Sequence, residues 1–301
     1  MLGAVVQPRR NMTDLAPATR YYYRVGGPSS GWSQVFHFKS QVTPEVLAAN
    51  LPQHHIVFGD MGAACAFTIC PGCTCNLTCD ATTCADNKTA GLVAEVGTAT
   101  HVVHMGDFAY NLADNGGTVG DQFFRNIEQI AAYIPYMPSI GNHEDAPEHL
   151  AHYTERFRIA PSQRSSPRTQ KTRNGVAPNN WWYSWDDGLV HYVAISTEVY
   201  FGVPGVGASG PIGSVKKQFE WLKADLRAAN ANRDNVPWIV VHGHRSVYCS
   251  CDDDCDGAAK TLREDPVQKK YGLEQLFFEQ GVDFFLNGHE HNYERMWPTY
   301  K

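Results

Sequence analysis

The chain has 301 residues, enough to bury a large core in one domain or two. Hydrophobic residues at 43% and aromatics at 12% describe a globular protein and exclude intrinsic disorder. A formal charge of −6 and a pI near 6.1 give no footing for a nucleic-acid partner, and no apolar run approaches the length that spans a bilayer.

The first stretch differs from the rest. Met1 to Pro8 has too short an apolar part for a convincing signal peptide. Leu15-Ala16-Pro17-Ala18-Thr19-Arg20-Tyr21 reads as a turn entering a strand, 26–31 as a loop, and 32–39 as a second strand of alternating character. A two-stranded hairpin cannot form a core by itself. Either it packs on the larger C-terminal portion, or the chain is part of a longer protein.

From residue 53 strands and helices alternate. The apolar runs predict strands over 55–58, 101–105, 136–140, 190–196, 238–241 and 282–286, and helices over 86–98, 121–134, 147–157, 214–229 and 266–280. In 214–229, Val215, Phe219, Leu222 and Leu226 recur at helical spacing with charges on the other face. Alternation of this kind implies α/β layers with helices outside. The stretch 161–180 is polar, basic and turn-rich, a surface loop. Trp181-Trp182-Tyr183-Ser184-Trp185 reads as core packing at a strand start rather than a sugar or base platform.

The nine cysteines fall in two clusters, Cys65, Cys70, Cys73, Cys75, Cys79 and Cys84, then Cys249, Cys251 and Cys255. Glycosylation sequons occur at Asn11-Met12-Thr13, Asn76-Leu77-Thr78 and Asn87-Lys88-Thr89. Cysteine-dense loops with sequons point to an oxidising, secretory compartment and a disulfide-bonded glycoprotein. Cys70-x-x-Cys73 has zinc-like spacing, but no second dyad completes such a site, so disulfides are favoured. The odd count leaves one thiol over.

The chemistry lies where the runs end: Gly59-Asp60-Met61-Gly62, Gly106-Asp107-Phe108-Ala109-Tyr110, Gly141-Asn142-His143-Glu144, Val241-His242-Gly243-His244 and Gly288-His289-Glu290-His291. The run from Val190 ends in Thr197-Glu198 and carries no such motif. Oxygen and nitrogen ligands at strand ends are how an α/β sheet builds a metal site along one edge. Asp60 and Asp107 can approach one another, and two carboxylates forced together need a cation or a proton between them. Asn142 adds a neutral oxygen, and His244, His289 and His291 add imidazoles, a set that suits iron, manganese or zinc. His289 and His291 fall on a turn past Leu286 that Gly288 eases. Taken singly, an aspartate before glycine is a turn residue. His54, His55, His101, His104, His149, His152 and His191 are read as core or surface groups, and His242 as pointing to the opposite face of its strand. Asp252-Asp253-Asp254 lacks the alternating spacing of a calcium loop.

In order and spacing these motifs resemble the metallophosphoesterase superfamily. Tyr110, three residues after Asp107, and Gly288-His289-Glu290-His291-Asn292-Tyr293-Glu294-Arg295 are similar to its purple acid phosphatase branch, its plant-type members above all. Leu-x-Pro-x-Thr-x-Tyr resembles the tyrosine corner of a fibronectin-type fold. The resemblance implies that 1–42 is the C-terminal part of a fibronectin-type N-terminal β domain. It implies that 53–301 is an α/β catalytic domain, a two-sheet βαβ metallophosphoesterase sandwich flanked by helices and truncated just past Pro298. Asp60, Asp107, Tyr110 and His291 would hold Fe3+. Asp107, as bridge, with Asn142, His244 and His289 would hold a divalent ion, Fe2+, Zn2+ or Mn2+. His143 would sit beside the phosphoryl group of a small phosphate ester. A metal-held hydroxide would attack phosphorus in line, giving monoester hydrolysis with an acidic optimum.

The sequence also departs from the branch. The substrate-facing histidines that usually follow the fourth motif are missing from 245–255, which leaves His143 alone, or an aspartate of the cysteine loop, as leaving-group acid. The first cysteine cluster, straight after Asp60-Met61-Gly62, would lie near the mouth of the site. A phosphodiesterase or nucleotide pyrophosphatase on the same centre is the alternative. A non-catalytic binding protein with the same fold is disfavoured by the intact ligand set.

Overall fold

The computed structural model describes residues 12, 14–42, 53–62, 85–144, 150–157, 180–201, 212–251, 255–265 and 269–300. At the N-terminal end, β1 (Arg20–Tyr23), β2 (Gly26–Gly27), β3 (Gly31–Trp32) and β4 (Phe36–Lys39) make two antiparallel ladders, β1 with β4 and β2 with β3. The Ala16 N–H donates to the Tyr21 hydroxyl at 2.8 Å, so the tyrosine corner closes as its sequence pattern implies. The predicted strand 32–39 is broken over 33–35, where the Ser33 hydroxyl accepts from the Val25 N–H at 2.9 Å and turns back to the Gln34 carbonyl. The hairpin does not stand alone. The Tyr23 hydroxyl donates to the Ala132 carbonyl at 2.8 Å, and the rings of Phe36 and His37 meet Tyr133.

Strands and helices then alternate: β5 (His54–Phe58), α1 (Ala85–Glu95), β6 (Ala99–His104), α2 (Thr118–Ala131), β7 (Tyr136–Pro138), α3 (Ala151–Arg156), β8 (Tyr183–Asp187), β9 (Val190–Ala194), α4 (Ile212–Asn230), β10 (Trp238–His242), α5 (Cys255–Glu264), α6 (Leu273–Gln280) and β11 (Phe284–Leu286). The strands form two sheets, an all-parallel one ordered β5-β6-β7 and a second ordered β11-β10-β9-β8 in which only β8 runs antiparallel. The α/β reading and the layering hold.

Burial explains the layers. Val103 and Met105 of the first sheet meet Tyr192 and Val240 of the second in a closed layer between them. Ile130 and Ile134 pack with Ala99 and Val102 on the outer face of the first sheet, joined there by Leu92 and Val93 of α1. On the outer face of the second, Leu222 and Leu226 of α4, Leu262 of α5 and Leu276 of α6 cover Val193, Ile239 and Val241. Truncating either fully buried leucine of α4 to alanine costs about 2–5 kcal/mol.

Several boundaries differ from expectation for identifiable reasons. β8, read only as an aromatic strand start, is a full strand joined to β9 through Gly188 in the left-handed region (φ 58°). The helix predicted over 266–280 begins only at Leu273, because Gly272 is extended (φ −63°, ψ 140°) and packs on the backbone at the end of α5. The helix α5 itself was not expected, since its start in a Cys/Asp-rich stretch reads as loop. The sequon Asn87-Lys88-Thr89 lies inside α1, where Thr89 is buried, rather than on the surface loop that glycosylation calls for. The first cysteine cluster, His149, 161–179 and Asp252-Asp253-Asp254 lie outside the described residues, as do Asn11, Thr13 and the Asn76 sequon. In the second cysteine cluster Cys249 pairs with Cys255, their Cα atoms 5.7 Å apart, in line with the disulfide reading.

Candidate metal centre

Asp60, Asp107 and Asn142 follow β5, β6 and β7 of the first sheet, while His244 and His289 follow β10 and β11 of the second. Parallel strands of both sheets thus deliver their ends to one edge. Asp60, Asp107, Tyr110 and His289 all have positive φ (56°, 54°, 51° and 73°), a conformation that costs an L-residue about 1–3 kcal/mol and clusters at functional sites. The turn at His289 therefore corrects the expectation for Gly288, whose own φ is not positive. What Gly288 supplies is space: a Cβ there would lie 2.4 Å from Asp60 Oδ2. Gly141 is needed likewise, since a Cβ on it would lie 2.2 Å from Asp107 Oδ1.

The seven expected ligands converge. His244 donates through Nδ1 to the Met105 carbonyl at 2.7 Å, which leaves Nε2 facing the pocket. That Nε2 lies 2.9 Å from Asn142 Oδ1, 3.1 Å from His289 Nδ1 and 3.4 Å from Asp107 Oδ2. The His289 N–H donates to Asp60 Oδ2 at 2.9 Å, and Asp60 Oδ1 lies 3.6 Å from His291 Nε2. Tyr110 closes the ring, its hydroxyl 2.5 Å from His291 Nε2. His291 stands at the rim with its side chain 64% exposed. His143 borders the same space. Its N–H donates to Asp107 Oδ1 at 3.0 Å, its Nδ1 lies 3.1 Å from Asn111 Oδ1, and its Nε2 is 4.0 Å from Asp107 Oδ2.

The donor set fits a cation. Ligand atoms of Asp107, His244 and His289 all lie within 4.8 Å of one another. Asp60 Oδ1 is buried and has no hydrogen-bond partner among the described residues, which is costly unless a positive charge meets it. The electrostatics agree. Burial works against a charge on His244, yet Asp107, then Glu198 and Asp60, outweigh it and push its pKa up to about 10. A proton or a metal ion at Nε2 answers the same field. Burial, with Asp107 beside it, raises Asp60. Burial would raise Asp107 too, but His244 and His143 hold it below the usual carboxylate range. Burial first, then Asp60 and Asp107, raises the Tyr110 phenol.

Residues not foreseen brace this centre. Glu144 is buried, and its carboxylate accepts the N–H groups of Asp107 (2.8 Å), Phe108 (3.1 Å) and Gly141 (2.8 Å), fastening the loops after β6 and β7 together. Burial, then the nearby Asp107 charge, pushes its pKa up to about 8. Glu198, at the end of the run that lacks a motif, is fully buried and holds Arg245 Nε with both oxygens (3.0 and 3.1 Å). Arg245 Nη1 in turn lies 3.0 Å from His289 Nε2. The signal was a buried acid at a strand end without flanking glycines. Near the rim, Cys251 Sγ contacts Glu290, the residue between His289 and His291, at 3.0 Å.

The other histidines for which contacts are described lie outside the centre. His242 is buried between the sheets edge-on to Trp185, and burial, then His101, pulls its pKa down to about 3. His101 pairs with Asp187 at 2.8 Å, and His191 bridges Asp186 (2.5 Å) and Asp225 (2.9 Å). His104 lies 2.6 Å from the Tyr136 hydroxyl, and His152 accepts from Arg156 at 3.1 Å.

Residues 56–293 match the family model of the calcineurin-like phosphoesterases, and residues 8–40 match the N-terminal domain of purple acid phosphatase. Acid phosphatase type 7 of Homo sapiens is 37% identical over 298 residues, which cover 97% of this chain and 57% of that protein. The Danio rerio protein of the same name is 36% identical, with 96% and 57% covered. Probable inactive purple acid phosphatase 9 of Arabidopsis thaliana is 31% identical, with 94% and 42% covered. The chain therefore spans just over half the length of the acid phosphatase type 7 proteins it matches. Among solved structures, purple acid phosphatase PPD1 from yellow lupin (Lupinus luteus) seeds superposes with a TM-score of 0.61 at 25% identity, over 96% of this chain and 46% of that one.

Proposed function

Because the chain belongs to the calcineurin-like phosphoesterase family, in its purple acid phosphatase branch, we propose that it hydrolyses small phosphate monoesters in acidic medium at a dinuclear metal centre. The observation that carries this reading is Asp60 Oδ1, a buried carboxylate oxygen with no hydrogen-bond partner among the described residues, set in a ring of oxygen and nitrogen ligands. Asp60, Asp107, Tyr110 and His291 would hold Fe3+, while Asp107, Asn142, His244 and His289 would hold Fe2+, Zn2+ or Mn2+. When bound, the two ions supply Lewis acidity and a water acidified enough to act as nucleophile at low pH.

The chain's own residues do the rest. Asp107 has its Oδ1 pinned by the His143 N–H, which leaves Oδ2 directed at His244 and free to bridge. His143 is held at Nδ1 by Asn111 and keeps Nε2 at the open side of Asp107, where it can hand a proton to the departing alkoxide. Glu144 keeps the backbone of both loops in register so that these atoms stay in place. We read residues 1–42 as the end of a fibronectin-type β domain and 53–301 as the catalytic domain. The Cys249–Cys255 pair and the cysteine-rich stretch after Asp60 support a secretory or vacuolar lumen.

Metal analysis with a visible spectrum of the purified protein tests this directly. Two metals per chain and a broad visible band, lost in Tyr110→Phe, are expected, together with faster hydrolysis of a nitrophenyl phosphate monoester than of the bis-nitrophenyl diester. The Arabidopsis relative named as probably inactive favours one competing reading, a retained fold without turnover. Bound metal with no hydrolysis of either ester would select it.

A further inference from the structure

A second convergence of ligand side chains lies toward the opposite ends of the same strands. His55 stands near the start of β5 and His101 near the start of β6, both in the first sheet, while Asp187 closes β8 of the second. One ligand atom of each lies within 4.8 Å of those of the other two. His101 and Asp187 are buried, and His55 is half-buried. His101 Nδ1 is 2.8 Å from Asp187 Oδ2, and the rings of His55 and His101 lie 4.5 Å apart at an angle of 44°. The strand advances about 10 Å from His101 to its end at His104, and Asp107 comes only after that, so this cluster is separate from the candidate centre.

The surroundings are those of a built site. Thr100 Oγ1 adds a further oxygen, 3.0 Å from His55 Nδ1 and 3.3 Å from His101 Nδ1. His101 Nε2 is buried with no hydrogen-bond partner among the described residues, whereas a His–Asp pair kept for packing alone is ordinarily satisfied throughout. Tyr192 and Trp185 of the second sheet stand edge-on to His101, at 4.8 and 5.7 Å, and shield the cluster on the apolar side. Half-buried His55 and Thr100 leave a way in from solvent. Two imidazoles and one carboxylate, with a fourth position left for water, suit Zn2+. We propose that His55, His101 and Asp187 form a Zn2+ site that pins the two sheets together, apart from the candidate centre. Bound there, the ion joins β5 and β6 to β8, where His101 and Asp187 now share a single hydrogen bond, and it closes the inter-sheet layer beside Tyr192.

The full chain and its His55→Gln variant are dialysed against micromolar Zn2+, counted by metal analysis, and melted with and without the ion. His55→Gln is expected to hold one Zn2+ fewer per chain and to lose part of the rise in melting temperature that Zn2+ gives the wild type. A histidine that only packs would lower the melting temperature equally in both conditions and leave the count unchanged, and that result overturns the inference. Should His55→Gln not fold, Asp187→Asn keeps the shape of the carboxylate and is expected to weaken this ion at least tenfold, so equal affinity there overturns the inference too. Anomalous scattering at the zinc edge from crystals of the wild-type chain is expected to place an ion about 2.0–2.2 Å from all three side chains. No peak at that position overturns the inference, whatever the candidate centre holds. A peak here with none among Asp60, Asp107 and His244 would count against the dinuclear reading and leave this one standing.

Discussion

The two sheets feed the same edge by different means. The first sheet delivers oxygens, those of Asp60, Asp107 and Asn142, and its loops are fixed through the backbone, with the Glu144 carboxylate gathering main-chain N–H groups after β6 and β7. The second delivers imidazoles, those of His244 and His289, and is fixed through side chains, with Glu198 gripping Arg245 and Arg245 reaching His289. Each half has one buried glutamate behind it. The candidate ligands of the first half are thus braced through the main chain, and His289 of the second is met by an ion pair.

That contrast can be broken at graded points. Asp107→Asn, at the junction of the two halves, is expected to lose both ions and about four orders of magnitude in turnover, read by metal analysis and steady-state assay. His143→Ala should keep both ions yet lose about 10²–10⁴ in turnover, so retained turnover would remove it from the reaction. Glu144→Ala orphans three buried N–H groups at about 1–3 kcal/mol each, and denaturant unfolding should show a loss of about 3 kcal/mol or more together with lowered metal content. Full stability in that variant would show that the oxygen half needs no backbone brace.

The smallest effect lies in the second sheet, away from the centre. Burial opposes a charge on His191, but its hydrogen bonds to Asp186 and Asp225 win and its pKa is raised. A raised folded pKa means the contribution is complete below the unfolded value of about 6.5 and fades as pH climbs through the folded one. The gap in melting temperature between wild type and His191→Gln should therefore be widest in acid and narrow toward alkaline pH. A gap that widens with pH would reverse the assignment.

Much of this was legible in the sequence, and the misses are instructive. Five of the seven candidate ligands, Asp60, Asp107, Asn142, His244 and His289, close an apolar run directly after a glycine, because strand ends that crowd a centre leave no room for Cβ atoms; Gly141 and Gly288 show the constraint directly. The same rule concealed Glu198, which approaches through a long side chain and needs no glycine beside it. The tyrosine corner was visible because its hydrogen bond spans only five residues. The start of α6 was not, since Gly272 owes its extended backbone to packing against α5, a tertiary contact that local pattern does not encode.

Four of the seven candidate ligands hold backbone angles that their own side chains resist. Left to local preference, those segments would relax and scatter the oxygens and nitrogens they carry. An ion taken up there would hold those turns in place, so a chelator is expected to lower the melting temperature while the apolar cores of the two sheets keep the chain folded.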